Sequence, residues 1–160
     1  MSAMASAQHI LSTCADIARR TGAFTASEIE VLREVLDEWL ATQGSEYHLN
    51  LKVNEKDEIE GFILYGRAPM TRFAWDIYWI AVDADKQGYG IGISLIEAVQ
   101  KRALRDKDRA VLRIETSGKP SYESQRRFYK SCGFSVAGRI PDFYAPGDDL
   151  VTFVKTIMSW

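Results

Sequence analysis

The stretch from Trp75 to Gly92 constrains the fold of this chain more than any other. It opens with a dense apolar run that is rich in aromatic and β-branched residues and too short for an ordinary helix, Ile77-Tyr78-Trp79-Ile80-Ala81-Val82. A polar step over residues 83–86 ends the run, glycines follow at three alternate positions, and an apolar pattern with helical spacing begins at Ile91. The stretch therefore predicts a buried strand, a glycine-rich turn and a helix, in that order.

The glycine-rich turn has the features of an anion-binding site. The first N–H groups of a helix have no partner inside it, and the helix dipole places partial positive charge there. Gly88, Gly90 and Gly92 let a ligand approach the backbone closely, which favours a phosphate or pyrophosphate, although a tight connection without a ligand would show the same pattern. The loop of nucleoside triphosphatases is excluded because no Lys-Ser or Lys-Thr follows, and the dinucleotide fingerprint because the third glycine comes one residue early.

Two segments are similar to those of a known family. The segment Gln87-Gly88-Tyr89-Gly90-Ile91-Gly92 resembles the Q/R-x-x-G-x-G/A loop of the GNAT acetyltransferases, and Arg127-Phe128-Tyr129-Lys130-Ser131-Cys132-Gly133-Phe134 resembles their FYxxxGF segment. The resemblance spans residues 22–157. It implies an α/β fold of the α+β type, in which helices flank a twisted mixed sheet and the central strand is splayed at the acetyl-CoA site.

The resemblance also implies roles for individual residues. The loop amides would hold the pyrophosphate of acetyl-CoA, and a backbone N–H near Ala81 or Val82 would stabilise the oxyanion. Tyr129 matches the tyrosine that meets the departing sulfur, the alternative being a core tyrosine. Tyr122 stands seven residues earlier, where the family usually has asparagine, so it either contacts the cofactor or lines the acceptor pocket. The expected cofactor-binding residues are Ile80, Ala81, Val82, Gln87, Gly88, Tyr89, Gly90, Ile91, Gly92, Tyr122 and Tyr129.

Two carboxylates are candidates for the catalytic base. Asp76 lies six residues before Val82, where some members of the family carry a base, and Glu115 follows an apolar run. Each could instead belong to a structural ion pair, Glu115 with Arg113 or Arg127, and many enzymes of this family use water chains without a dedicated base. Acidic residues around the predicted last hairpin, among them residues 142, 148 and 149, could recognise a cationic amine or simply belong to a solvated turn.

Composition narrows the class of protein further. The chain has 160 residues and a formal net charge of −2 at a pI near 5.7, which predicts one domain over residues 1–160 and argues against nucleic-acid binding. No apolar run reaches the length of a membrane span, and the N-terminus does not resemble a signal peptide, so a cytoplasmic location without a membrane partner is expected. Cys14 and Cys132 lie far apart, and neither they nor the histidines form a pattern of metal ligands.

The remaining elements follow from local patterns. A helix is predicted over residues 8–20, and a second begins at a capping box formed by Thr25 and Glu28. No convincing strand precedes these helices, although family members usually begin with one. The sequence therefore predicts an acetyl-CoA-dependent N-acetyltransferase that acts by direct attack of a primary amine of a small molecule, amino acid or peptide, as a monomer or homodimer. The alternative is a non-catalytic acyl-CoA-binding module.

Overall fold

The computed structural model describes residues 3–159, and within this range it contains four α-helices and six strands. The helices are α1 (Ala3–Arg20), α2 (Ala26–Ala41), α3 (Ile91–Ala103) and α4 (Glu123–Ser131). The strands are β1 (His48–Val53), β2 (Ile59–Arg67), β3 (Ala74–Val82), β4 (Arg109–Ser117), β5 (Ser135–Ala145) and β6 (Asp148–Met158). Short 3-10 turns at Ala84–Lys86 and Pro120–Tyr122 precede α3 and α4.

The strands form one mixed sheet in the order β1-β2-β3-β4-β6-β5. β3 and β4 are parallel and pair from Ala74 opposite Val111 to Ile77 opposite Ile114, whereas both strands continue past this point. β4 pairs antiparallel with β6 along its whole length, and β5 completes the sheet at its edge. This mixed sheet with flanking helices agrees with the α+β architecture predicted from the sequence.

The backbone divides into two compact units, the first of which contains residues up to Gly66 together with Trp79–Ala98. Its core lies where the apolar faces of α1 and α2 meet β2 and the end of β3, and its buried members are Leu11, Cys14, Ile17, Ala18, Leu32, Leu36, Phe62, Leu64 and Ala81. The predicted capping box is confirmed, because Thr25 and Glu28 exchange side-chain and backbone hydrogen bonds at the start of α2. The burial of these apolar faces stabilises the unit.

The second unit contains Arg67–Tyr78 and Val99–Trp160. On one face of its sheet, alternate residues of β4 are buried, including Leu112 and Ile114, and Phe153 of β6 lies opposite Ile114. The side chain of Tyr129 on α4 packs on this same face, with its ring centroid 5.6 Å from that of Phe153. The opposite face of β4 carries Arg113 and Glu115, both exposed.

Most predicted elements are present, and three expectations require correction. The first helix begins at Ala3, five residues before its predicted start at residue 8. The central strand begins at Ala74, three residues before the predicted Ile77, because Trp75 is also buried there. The sequence also predicts one helix from Tyr122 to Cys132. The structure instead places Tyr122 in a 3-10 turn that Pro120 starts and that ends where α4 begins. Between residue 3 and β1 the structure contains helices and no strand, as the sequence indicated. The single domain over residues 1–160 stays a prediction.

Candidate active site

The glycine turn has the backbone geometry that an anion site requires. Gly88 and Gly90 adopt positive φ angles of 87° and 78°, a region that residues with a side chain rarely occupy. A Cβ atom built at either position meets no other atom within 4 Å, so the space beside this backbone is open. Gly92 lies in the first turn of α3, which begins at Ile91. The turn thus presents open backbone at the N-terminus of a helix of 13 residues.

The first unit holds this turn in place from both sides. Asp83 caps the 3-10 turn by accepting a hydrogen bond from the Asp85 amide, and its carboxylate forms a 2.7 Å ion pair with Arg20 at the end of α1. At Gly61 of β2, an added Cβ would lie 3.0 Å from the carbonyl oxygen of Ala81 and 3.2 Å from the side chain of Ile91. A larger residue at position 61 would therefore displace the start of α3.

The other predicted loop residues have different surroundings. The side-chain amide of Gln87 donates a 3.3 Å hydrogen bond to the carbonyl oxygen of Val82, which leaves its backbone as the part available to a ligand. Tyr89 is 79% exposed and Ile91 is buried. Ala81 belongs to the core of the first unit, so only its main chain can contact a cofactor, and Ile80 and Val82 beside it are partly buried.

Tyr129 lies in the aromatic interior of the second unit. Its side chain is 8% exposed, and its ring packs against Phe134 and Phe153 with centroid distances of 6.4 Å and 5.6 Å. Burial raises the pKa of Tyr129 well above its ordinary value, and the nearby Cys132 adds to this rise. Among the described residues, none forms a hydrogen bond with the Tyr129 hydroxyl. The Tyr129 hydroxyl is thus a neutral donor that is available to a ligand.

The two candidate bases lie close together in the second unit, joined by Arg113. Arg113 sits opposite Asp76 in the pairing of β4 with β3, and its Nε and Nη2 atoms donate to the two carboxylate oxygens at 2.6 Å and 3.0 Å. Its Nε atom also lies 3.7 Å from Oε1 of Glu115. The hydrogen bond to Asp76 is the main cause that raises the pKa of Arg113. Arg113 was not among the predicted site residues, and Arg127, the other proposed partner of Glu115, pairs with Glu123 instead.

Glu115 and Tyr129 lie on opposite faces of the sheet in the second unit. Tyr129 packs beside Phe153, whose Cα partner is Ile114, whereas the side chain of Glu115, the next residue along β4, points to the other face. The Asp76 side chain is 13% exposed, and those of Arg113 and Glu115 are 45% and 44% exposed. The Glu115 carboxylate and the Tyr129 phenol therefore lie on opposite sides of the sheet.

The acids of the last hairpin are held by neighbours within the second unit. Asp148 accepts a short hydrogen bond from the Ser117 hydroxyl and lies 3.5 Å from Lys119, and Asp149 forms a 2.7 Å ion pair with Arg139. A backbone hydrogen bond from Asp142, together with Arg139, lowers the pKa of Asp149. These contacts connect Asp148 and Asp149 to the hairpin and to the loop after β4, and recognition of a cationic amine by these acids stays a prediction.

Residues 3–159 contain neither a candidate membrane-spanning helix nor a candidate metal site. No helix in this range combines the length and the apolar character needed to cross a membrane. The His, Cys, Asp and Glu side chains of the same residues do not come together in a group that could hold a metal ion.

Comparison with known proteins gives a family match that includes the glycine turn, Asp76, Glu115 and Tyr129. The family profile described as an acetyltransferase (GNAT) domain matches residues 45–136. A search of curated proteins gave no significant match. Among solved structures, an acetyltransferase assigned to the GNAT family from Desulfovibrio desulfuricans is 32% identical, with a TM-score of 0.84 and 92% of each chain covered.

More distant structures share the fold. An aminoglycoside 6'-N-acetyltransferase solved with coenzyme A has a TM-score of 0.69 at 19% identity, with 94% of this chain and 92% of that chain covered. The ribosomal-protein-S18-alanine N-acetyltransferase from Escherichia coli has the same TM-score at 20% identity, with 94% and 89% covered. Two other structures with this fold were solved with acetyl coenzyme A.

Proposed function

Because this chain belongs to the GNAT acetyltransferase family, we propose that it transfers the acetyl group of acetyl-CoA to a primary amine of a small molecule, amino acid or peptide. The observation that carries this proposal is the glycine turn, where Gly88 and Gly90 adopt positive φ angles and leave open space at the start of α3. Structures of the same fold contain coenzyme A or acetyl-CoA. The cytoplasmic location and the oligomeric state stay predictions from the sequence.

The donor would be held by main-chain atoms of the first unit. Backbone N–H groups from Gly88 to Gly92, at the positive end of α3, are suited to the diphosphate of coenzyme A. The last residues of β3, Ile80 to Val82, lie past the end of the parallel pairing with β4. An N–H group there would donate to the thioester oxygen as it gains negative charge, and such donors typically contribute about 10²–10³-fold to the rate.

The reaction requires a neutral amine. The amine nitrogen forms a bond to the carbonyl carbon, the carbon–sulfur bond then breaks, and the bonding electrons leave with the thiolate of coenzyme A. The amine loses one proton, and the thiolate gains one. No covalent intermediate with the protein is needed.

Tyr129 is the donor that we assign to the departing sulfur. Burial raises the pKa of Tyr129, so its hydroxyl stays protonated throughout the pH range in which the enzyme would be assayed. An ordinary phenol already has a pKa about 1.5 units above that of a thiol, and early proton transfer would therefore be uphill. Tyr129 would then act first as a hydrogen-bond donor to the thiolate and release its proton late.

Glu115 is the better placed of the two candidate bases. Both oxygens of Asp76 accept hydrogen bonds from Arg113 at 2.6 Å and 3.0 Å, which stabilises this carboxylate in an ion pair. Glu115 lies farther from Arg113, at 3.7 Å from its Nε atom, and the Glu115 side chain is exposed. We therefore assign Glu115 to the proton of the amine, directly or through water, and Asp76 to the positioning of Arg113.

The proposal is tested by turnover on a panel of amines. Purified protein is mixed with acetyl-CoA and each amine, thiol release is followed with a chromogenic disulfide, and the product is checked by mass spectrometry for one added acetyl group. We expect amine-dependent thiol release above the rate without amine. Binding of acetyl-CoA without acetylation of any amine would instead identify a non-catalytic acyl-CoA-binding module, and a protein that does not bind acetyl-CoA would refute the proposal entirely.

A further inference from the structure

The charges beside Glu115 restrict the acceptor amine further. We propose that the preferred acceptor carries a second positive charge and no carboxylate near the reacting amine; this inference rests on the acetyl transfer proposed above. Three charged side chains form a cluster on the exposed sheet face of the second unit: Asp76, Arg113 and Glu115. Two are negative and one is positive, so the cluster has a net charge of −1.

Arg113 is poorly suited to bind a carboxylate of the acceptor. The Nε and Nη2 atoms form the edge of a guanidinium that binds a carboxylate with two parallel hydrogen bonds, and Asp76 already occupies both. The same Nε atom also lies 3.7 Å from Oε1 of Glu115. An α-amino acid would therefore place its carboxylate beside two protein carboxylates and a guanidinium whose bidentate edge is taken.

The neighbouring residues on this face of the sheet do not neutralise the net negative charge of the cluster. In the pairing with β6, Val154 lies opposite Arg113 and Thr152 lies opposite Glu115, and neither side chain is charged. On β5, Ser135 pairs with Val154, so the next position on this face is also neutral. Further back along β4, Arg109 has its own carboxylate partner, Asp108, at 3.4 Å. At the end of this face, Asp148 and Lys119 lie 3.5 Å apart and balance each other. The net negative charge at Glu115 is thus not compensated by these residues of β4, β5 and β6.

An aromatic ring adds to the preference for a cation. Tyr78 follows Asp76 by two residues on the same strand, so it lies on the same face, and its side chain is exposed. It lies close enough to Arg113 to influence the pKa of that group. The face of a tyrosine ring attracts ammonium groups. Glu115 and Tyr78 together form a surface for a cationic group of the acceptor.

The test compares three primary amines of the same chain length. They are 1,4-diaminobutane, butylamine and 4-aminobutanoate, whose second substituents are positive, neutral and negative. For a charge about 6 Å from a half-exposed carboxylate, we expect kcat/KM to fall about tenfold from the diamine to butylamine and further to the amino acid. Thiol release with acetyl-CoA at saturating concentration measures each value.

Two variants separate recognition from proton transfer. Glu115→Gln would lower the turnover of all three amines if Glu115 acts as a base. The ratio of kcat/KM for the diamine to kcat/KM for butylamine does not depend on that role, and it should fall towards one. Arg113→Met should increase the same ratio several-fold, since it removes the positive charge of the cluster. Arg113→Lys keeps that charge, so it should leave the ratio close to its parental value, and an equal increase in both variants would overturn the inference. Glu55→Gln, in the exposed turn after β1, is the charge-matched control and should leave the ratio unchanged.

The possible results distinguish a failure of this inference from a failure of the proposed function on which it rests. If none of a wide amine panel is acetylated, the proposed function fails. If amines are acetylated but 4-aminobutanoate is the best of the three, or if Glu115→Gln leaves the ratio at its parental value, acetyl transfer stands and the inference about the acceptor is overturned.

Discussion

Replacement of Tyr129 by phenylalanine should separate catalysis from stability. The hydroxyl is the only group removed, and no described residue forms a hydrogen bond with it, whereas the ring keeps its packing against Phe134 and Phe153. Loss of a donor to the leaving group should lower kcat by about 10²-fold, equivalent to about 2.7 kcal/mol. The free energy of unfolding should change by less than about 1 kcal/mol, because no protein hydrogen bond is lost.

Two assays on the same samples measure these effects. Thiol release gives kcat and KM, and thermal unfolding should show a change in Tm of no more than about 2–4 °C for a chain of this length. The affinity for acetyl-CoA should stay near the parental value, since phenylalanine retains the aromatic contacts. The matched control is Phe153→Ala, which deletes the neighbouring ring and should cost about 3–5 kcal/mol of stability. Parental kcat in Tyr129→Phe would remove Tyr129 from the mechanism, and a large loss of stability would show that its hydroxyl is structural.

Three further predictions concern the first unit and the cysteines. Gly90→Asp should abolish acetyl-CoA binding in calorimetry, whereas Gly147→Asp, at an equally open positive-φ position in the last turn, should bind normally; equal loss in both would point to general strain. Arg20→Met breaks the ion pair that anchors the 3-10 turn and should raise the KM for acetyl-CoA about two- to fivefold at constant kcat, and a change in kcat alone would contradict this. Burial raises the pKa of Cys14 from 9.0 to about 12, so its thiol should resist alkylation in the native protein while Cys132 reacts. The raised pKa means that the folded protein favours the protonated thiol of Cys14. The stability that Cys14 contributes is therefore complete below pH 9, and it falls by about 1.4 kcal/mol per pH unit as the pH rises towards 12. Denaturant titrations of Cys14→Ala should not show this slope.

Features that depend on neighbouring residues were predictable from the sequence. The order of strand, glycine turn and α3 follows from a change of apolar period within 18 residues, and the glycines stand where the backbone takes positive φ. The capping box of α2 depends on two residues three positions apart, and the structure confirms it. The dipeptide Pro146-Gly147 favours a type II turn, in which the glycine takes a positive φ, and Gly147 has a φ of 79°.

Features that depend on residues far apart in the chain were not predictable from the sequence. Arg113 and Asp76 are 37 residues apart, and they meet only because the parallel pairing places them opposite each other. No local pattern contains this register, so the sequence left both carboxylates as equal candidates. The 3-10 turn before α4 also depends on a contact outside the local pattern. Arg126 donates hydrogen bonds to the carbonyl oxygens of Ser117 and Lys119 and so stabilises this turn, where the periodicity of the sequence predicts a helix.

The central claim is that backbone amides of the glycine turn hold the diphosphate of acetyl-CoA. A crystal structure of the protein with coenzyme A bound tests this most directly. We expect diphosphate oxygens within about 3.2 Å of backbone nitrogens between Gly88 and Gly92, and the thioester end beside the last residues of β3. A diphosphate bound elsewhere on the protein, with the turn unoccupied, would contradict the account of donor binding and the catalytic assignments that follow from it.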